Sequence, residues 1–239
     1  MKTSRRKKLH ERIEVVFEDL DLIVVNKAAG ILSYPIEGER EESAIQLIRR
    51  YWKSQNNQHQ QLYLMHRLDK ETSGLIVFAK TSLARDSLRR QFEAHTVVRG
   101  YLAVTNGIPE RKSGKIHTFL GRNERGRRSV AREGKTAITR YEVIVLNKSL
   151  QRSIVRCYLH TGRTHQVRIH LAHIGTPVLG DSVYGHRSPG RMALHAEVLG
   201  LLHPRSAQPI VFRMSLPEEI RNFLGSKRDC VYLQTGAQR

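Results

Sequence analysis

The chain is poor in several things that would each point to a function. It has 2 cysteines, Cys157 and Cys230, and no CxxC pair, so neither a disulfide framework nor a cysteine-rich zinc site is indicated. Aromatic residues make up 6%, too few for a platform that stacks many bases. Acids are scarce, 22 against 41 Lys plus Arg. Apolar runs are short, as in Leu22–Val25 and Leu75–Ala79, which excludes a membrane-spanning helix. Residues 1–12 carry Lys2, Arg5, Arg6, Lys7, Lys8 and Arg12 without an apolar stretch, which excludes a secretory signal. A short organellar presequence is one reading of that segment. A basic arm that touches RNA is the preferred one, because strand pattern follows at once, and the chain reads as cytoplasmic.

What is present is positive charge. A formal net charge of +19 costs self-repulsion, which a polyanion relieves. With so few aromatics, binding to RNA would be led by its phosphate backbone. At 239 residues the chain can form one large core or two small ones. No linker is visible, so the expectation is one catalytic domain at 13–224 between the basic arm at 1–12 and a tail at 225–239.

The local patterns describe an opening hairpin, 13–17 and 22–25, and a helix at 44–53 capped by Ser43, with Ala44, Leu47, Ile48 and Tyr51 on one face. A polar loop spans 55–61. An apolar strand at 75–79 precedes a helix at 82–94 whose Leu83, Leu88 and Phe92 face inward. Strands follow at 97–105, 114–121, 128–132, 135–146 and 152–160, with an Arg- and Gly-rich exposed hairpin at 121–135. A helix at 164–174 carries Val167, Leu171 and Ile174 on one side and stops at Gly175. Strands near 192–201 and 209–216 and a short helix at 217–224 close the chain. Strands dominate and no βαβ unit repeats, which predicts an α+β fold with a mixed, largely antiparallel central sheet flanked by helices.

Three segments carry candidate chemistry. The first is His66-Arg67-Leu68-Asp69-Lys70-Glu71-Thr72-Ser73-Gly74. It sets one carboxylate among cations on a loop that turns into an apolar strand, which suits a catalytic acid meeting an anionic substrate. A solvated Asp capping a turn is the plainer reading. The second is Arg99-Gly100-Tyr101-Leu102-Ala103-Val104, where Tyr101 alone reads as a half-buried strand aromatic. The third runs from His160 to His170 through Thr161-Gly162-Arg163-Thr164-His165-Gln166-Val167-Arg168. It lies at a strand-to-helix junction that favours an anion, and Arg168, one turn in, is placed to pair with Asp69. His165, His170 and His173 do not form HExxH and no cysteine is near, so no metal is expected.

The nine-residue string HRLDKETSG resembles the signature of the RluA-like RNA pseudouridine synthases, which isomerise uridine in ribosomal and transfer RNA. Resemblance extends from about residue 13 to 224, through VVNKAAGILSYP at 24–35, the Arg99-x-Tyr101 element, TGRTHQVRIH at 161–170 and GTPVLGDSVYG at 175–185. Ala28 stands where the family usually has proline. The pattern starts too early to leave room for the S4-type domain that the family often carries.

The resemblance implies a pseudouridine synthase fold and a cofactor-free isomerisation. Asp69 would be the essential carboxylate, attacking C1′ or removing a proton from C2′. Tyr101 would stack on the uracil and accept the C5 proton, and Arg168 would pair with Asp69. Arg67 would fill the stack vacated by the flipped uridine. His66, Arg99, Arg163, His165, Arg125, Arg127 and Arg128 are expected on RNA, and Asp181 reads as part of a structural turn. The expected enzyme is a monomer acting on ribosomal or transfer RNA. Two other classes compete. A non-catalytic RNA-binding protein has no use for the trio Asp69, Tyr101 and Arg168, and a glycosidase wants a second carboxylate beside Asp69.

Overall fold

The computed structural model describes residues 7–38, 41–55, 61–186 and 190–233. Its elements, in chain order, begin with β1 (Lys7–His10), β2 (Ile13–Glu18), β3 (Leu22–Lys27), α1 (Ala44–Ser54), β4 (Tyr63–Leu64), β5 (Ser73–Ala79) and α2 (Ser82–Glu93). They continue with β6 (Val98–Asn106), β7 (Ser113–Arg122), β8 (Arg128–Ala131), β9 (Lys135–Asn147), β10 (Arg152–Leu159), α3 (Gln166–His173), β11 (Leu194–Leu202), β12 (Pro209–Arg213), α4 (Glu218–Arg221) and β13 (Cys230–Tyr232). The α+β class expected from the sequence is the one observed. The chain divides into two compact units.

One unit comprises the chain up to Val98 together with Ala196–Met214. Its strands run in the order β1-β2-β3-β5-β11, with β4 on β5 and β12 on β11. Pairings β1–β2, β2–β3, β3–β5 and β11–β12 are antiparallel. All seven residues of β5 are buried, and from Leu75 to Ala79 it reads as a continuous apolar run without alternation. Leu22, Val24, Leu75, Val77, Leu88, Leu199 and Phe212 form the core. The helices bury partly different faces from those expected. In α1, Trp52 is buried and Tyr51 only partly so, because the Trp52 indole donates to Glu18. In α2, Ala84 and Leu88 point inward while Leu83 is 50% exposed. Residues 7–10, read from sequence as part of the arm, form an edge strand; residues 1–6 lie outside the described residues, as do 56–60 of the polar loop.

The other unit comprises Arg99–His195 and the chain from Ser215. Its order is β6-β10-β9-β7-β8, with β13 on β9, and these pairings are antiparallel. Strand alternation is plain in β7, where Ile116 and Leu120 are buried between partly or fully exposed neighbours. Cys157 on β10 stands opposite Tyr101 on β6 and Tyr141 on β9, and is fully buried. The tail segment contributes β13, with 234–239 outside the described residues.

Candidate active site

Asp69 sits half-buried on the loop between β4 and β5. Its backbone is held from both sides by the segment that leaves β3. Ser33, itself buried, donates its Oγ to Leu68 O and accepts from Leu68 N, both at 2.9 Å. Lys27 is 0% exposed, and its Nζ reaches Ala28 O at 2.9 Å, Ile31 O at 2.8 Å and Lys70 O at 3.2 Å. Gly30 N also donates to Lys70 O at 2.8 Å, and Thr72 N closes the turn onto Asp69 O at 3.0 Å. The residues before and after the carboxylate are therefore fixed by a buried hydroxyl and a buried ammonium. The exit from this turn needs Gly74. Its φ is +113°, and a Cβ there would lie 2.3 Å from Ala196 O.

The two neighbours expected on RNA have other contacts as well. His66 accepts from Val77 N through Nε2 at 3.2 Å and stacks on Phe92 at 5.2 Å. Arg67 is exposed, donates to the Tyr34 hydroxyl at 2.8 Å and lies 5.1 Å from that ring's centre.

Tyr101 and Arg168 belong to the other unit. Tyr101 is buried on β6, two residues from Arg99 and so on the same side of the strand. Arg99 is also buried, and its Nη2 approaches His160 O at 3.5 Å. Burial is the main reason its guanidinium holds a proton less firmly than usual, opposed by the Tyr101 phenol and reinforced by Arg163. Gly162 leaves room for this cation, since a Cβ there would come within 2.3 Å of Arg99 Nη1. Arg163, half-buried, donates its Nε to Thr136 O at 3.0 Å.

The helix expected at 164–174 starts later. His165 precedes α3 in a left-handed conformation, φ 58°. Gln166 is the reason for the sharp entry, because all of its amide is in use. Oε1 accepts from Thr161 Oγ1 at 2.8 Å and Arg163 N at 3.0 Å, while Nε2 donates to Ile138 O and Thr139 Oγ1, each at 3.0 Å. This stitches the loop to β9 before the helix begins. His170 is enclosed between Thr118 and Thr139, at 3.0 and 2.8 Å, and burial, with His173 adding a little, lowers it to about 4. Among the described residues no group of three or more His, Cys, Asp or Glu is arranged to hold a metal.

Arg168 has a partner the sequence reading did not anticipate. Its Nε meets Asp181 Oδ2 at 2.7 Å and its Nη2 meets Oδ1 at 2.8 Å, a two-pronged pair. Asp181 Oδ1 also accepts from Val183 N at 2.9 Å and Tyr184 N at 3.1 Å. Burial alone would raise the Asp181 carboxyl; the Arg168 hydrogen bonds and charge, with the two backbone donors, outweigh it and hold it below the usual range. Tyr184 completes the group, with its ring centre 5.1 Å from the guanidinium carbon and its hydroxyl 2.9 Å from His165 Nδ1.

Arg125, Arg127 and Arg128 lie on the β7–β8 hairpin, exposed at 125 and 127 and half-buried at 128. Arg127 Nη1 reaches back to Val183 O at 3.0 Å. Sequence reasoning gave no role to Lys27, Ser33, Gln166 or Tyr184 and read Asp181 as a turn; the first two hold the peptides of Leu68 and Lys70 beside Asp69, Gln166 holds Arg163 N, and the last two hold the Arg168 guanidinium. Lys27 had a signal of sorts, a lysine in an otherwise buried strand.

A family model described as RNA pseudouridylate synthase matches residues 21–173. The chain is 36% identical over 223 residues to the uncharacterized RNA pseudouridine synthase YlyB of Bacillus subtilis, covering 90% of this chain and 73% of that protein. It is 38% identical over 230 residues to the ribosomal large subunit pseudouridine synthase D of Nitrosomonas europaea, covering 91% of this chain and 66% of that one. The solved structure of human RNA pseudouridylate synthase domain containing 4 has a similar fold, with a TM-score of 0.71, 22% identity, and coverage of 87% of this chain and 90% of that one.

Proposed function

Because the chain belongs to the RNA pseudouridine synthases, enzymes that isomerise uridine within RNA, we propose that Asp69 is the carboxylate that works at the sugar of the target uridine. The reaction breaks the N1–C1′ bond, turns the base, joins C5 to C1′, and moves one proton off C5 while N1 gains one. No electrons are exchanged, so the chemistry calls for no cofactor. Asp69 attacks C1′ or takes a proton from C2′. Tyr101 stacks on the detached base and accepts the C5 proton. Arg168 supplies the positive charge that Asp69 faces. Arg67 fills the stack when the uridine flips out, and its exposed place on Tyr34 supports that reading. His66, Arg99, Arg163, His165 and the hairpin arginines Arg125, Arg127 and Arg128 serve the RNA, the hairpin set at its phosphates.

The observation that carries this reading is the clamp on Asp69. Buried Ser33 and buried Lys27 fix the peptides on either side of it. That is how a reactive group is held to the tolerance that catalysis needs. Identity of 38% to a protein named for the large ribosomal subunit supports ribosomal RNA as the substrate class. We take the enzyme to act on it as a cytoplasmic monomer.

The test is release of tritium from C5-tritiated uridine in ribosomal and transfer RNA transcripts. Asp69→Asn keeps the shape and removes both nucleophile and base, so it should abolish turnover while RNA binding stays within about twofold. Turnover at the unmodified rate would remove Asp69 from the mechanism. Release from the transfer RNA transcript alone would remove the ribosomal assignment.

A further inference from the structure

We propose that Asp181 is a positioning residue for the reaction, its carboxylate fixing the plane and direction of the Arg168 guanidinium. This rests on the role given to Arg168 above. A guanidinium is a rigid planar fork with five N–H donors, so a carboxylate that takes Nε and Nη2 together determines where the remaining end points. Here both hydrogen bonds are short, 2.7 and 2.8 Å, and the two side chains are 8% and 0% exposed. The carboxylate is itself held, because the backbone of Val183 and Tyr184 donates to its Oδ1. The face of the guanidinium is set separately by the Tyr184 ring, and Tyr184 is set in turn by His165.

Two features separate this arrangement from an ordinary structural ion pair. The first is its economy: one edge of the cation and one face of it are defined by a single five-residue turn, 181–185, whose end hydrogen-bonds back on its start through Gly185 N and Asp181 O at 3.0 Å. The second is position. Arg168 stands in the first turn of α3, two residues after the Gln166 stitch that pins the start of the helix. Backbone and guanidinium are thus each held by their own contacts, which a cation needed merely for cohesion does not require. A structural pair can be replaced by apolar residues at little cost. A pair that aims a cation cannot lose its carboxylate without losing rate.

The experiment is a double-mutant cycle on the full chain, read as the single-turnover rate constant of tritium release, with RNA affinity and urea melts measured on the same samples. Asp181→Asn should slow the reaction on the order of 10- to 100-fold, the range expected when a reacting group is misplaced by about 1 Å. RNA affinity should stay within about twofold. If Asp181 acts through Arg168, the double variant Asp181→Asn/Arg168→Lys should be within about threefold of Arg168→Lys alone, because the second change removes nothing further. Losses that multiply, or an Asp181→Asn enzyme at the unmodified rate, would overturn the proposal. If Asp181→Asn gives no cooperative melt, Asp181→Glu replaces it in the cycle, keeping the charge while displacing the guanidinium by one methylene. Failure of both to fold makes Asp181 a folding residue and overturns the positioning role. Asp69→Asn is run alongside. Its activity would sink the reading on which this rests, whereas an inactive Asp69→Asn with fully active Asp181 variants sinks the positioning role alone.

Discussion

Replacing Lys27 by methionine tests how the Asp69 loop is held. The substitution keeps length and flexibility but removes an ammonium that is 0% exposed and that reaches three carbonyls, Ala28 O, Ile31 O and Lys70 O, between 2.8 and 3.2 Å. Lys70 O keeps the Gly30 N–H as donor, whereas Ala28 O and Ile31 O lose the cation. Depriving these two acceptors of a charged donor, the first half-buried and the second buried, costs about 1–3 kcal/mol each. Part of that returns, because a buried charge no longer has to be stripped of water. The net loss is on the order of 2–4 kcal/mol, and for a chain of this size about 5–15 °C in melting temperature. The effect on rate should exceed the effect on RNA affinity, since the ammonium holds the peptide next to Asp69. Urea melts supply the first quantity, and single-turnover tritium release with filter binding supplies the other two. A methionine variant that melts within about 1 kcal/mol of the original and turns over at its rate would refute the clamp, for then the three contacts contribute neither stability nor placement.

Ala28→Pro, which places there the residue usual in the family, should lower the unfolding free energy by about 1 kcal/mol instead of stiffening the turn, because Ala28 N donates to Arg12 O at 2.9 Å and proline has no such donor; a raised urea midpoint would refute this. His170 and His195 are both lowered by burial to about 4, helped by His173 and Arg191 respectively, while an unfolded imidazole takes its proton near 6.5. The unfolded chain thus binds more protons between those values, so the stability these groups contribute is whole above pH 6.5 and is lost as pH falls toward 4, by at most ~3 kcal/mol per imidazole. Urea melts from pH 7.5 to 4.5 should show the slope, and His195→Gln should lessen it; an equal slope in both proteins would remove His195 from the account.

The parts of the fold that were legible in sequence are those where one physical signal dominates. The strands from β7 to β10 were found because turn residues separate clear apolar alternation, and Ser43 marked the start of α1 through its reciprocal bonds with Gln46. Edge strand β1 was not, since Lys7-Lys8-Leu9-His10 is mostly polar and becomes a strand only by pairing with β2. Helix faces went astray by one residue, Trp52 for Tyr51 and Ala84 for Leu83, because a periodic pattern gives a direction and tertiary contacts choose within it. The division into two units was invisible for another reason: one unit is assembled from distant segments, 196–214 joining the chain before Val98, so no linker marks it. Among the candidate residues, a loop with unusual chemistry drew attention to Asp69, and the family's motifs drew it to Tyr101 on β6 and Arg168 on α3. Their supports did not stand out. Lys27 is of a residue type normally at the surface, and Asp181 looked like a turn residue, as it also is.

Cys157 carries a last consequence. Its thiol is enclosed on β10 at the register of Tyr101 and Tyr141, and burial pushes it up to about 12. Cys230, on β13, is only partly covered. An alkylating reagent therefore meets one thiol in the folded molecule, and the second becomes reactive only when β10 opens. The unaltered chain contains its own stopwatch: the lag between first and second labelling times the opening of the strand opposite Tyr101, with or without RNA, and no engineered reporter is needed.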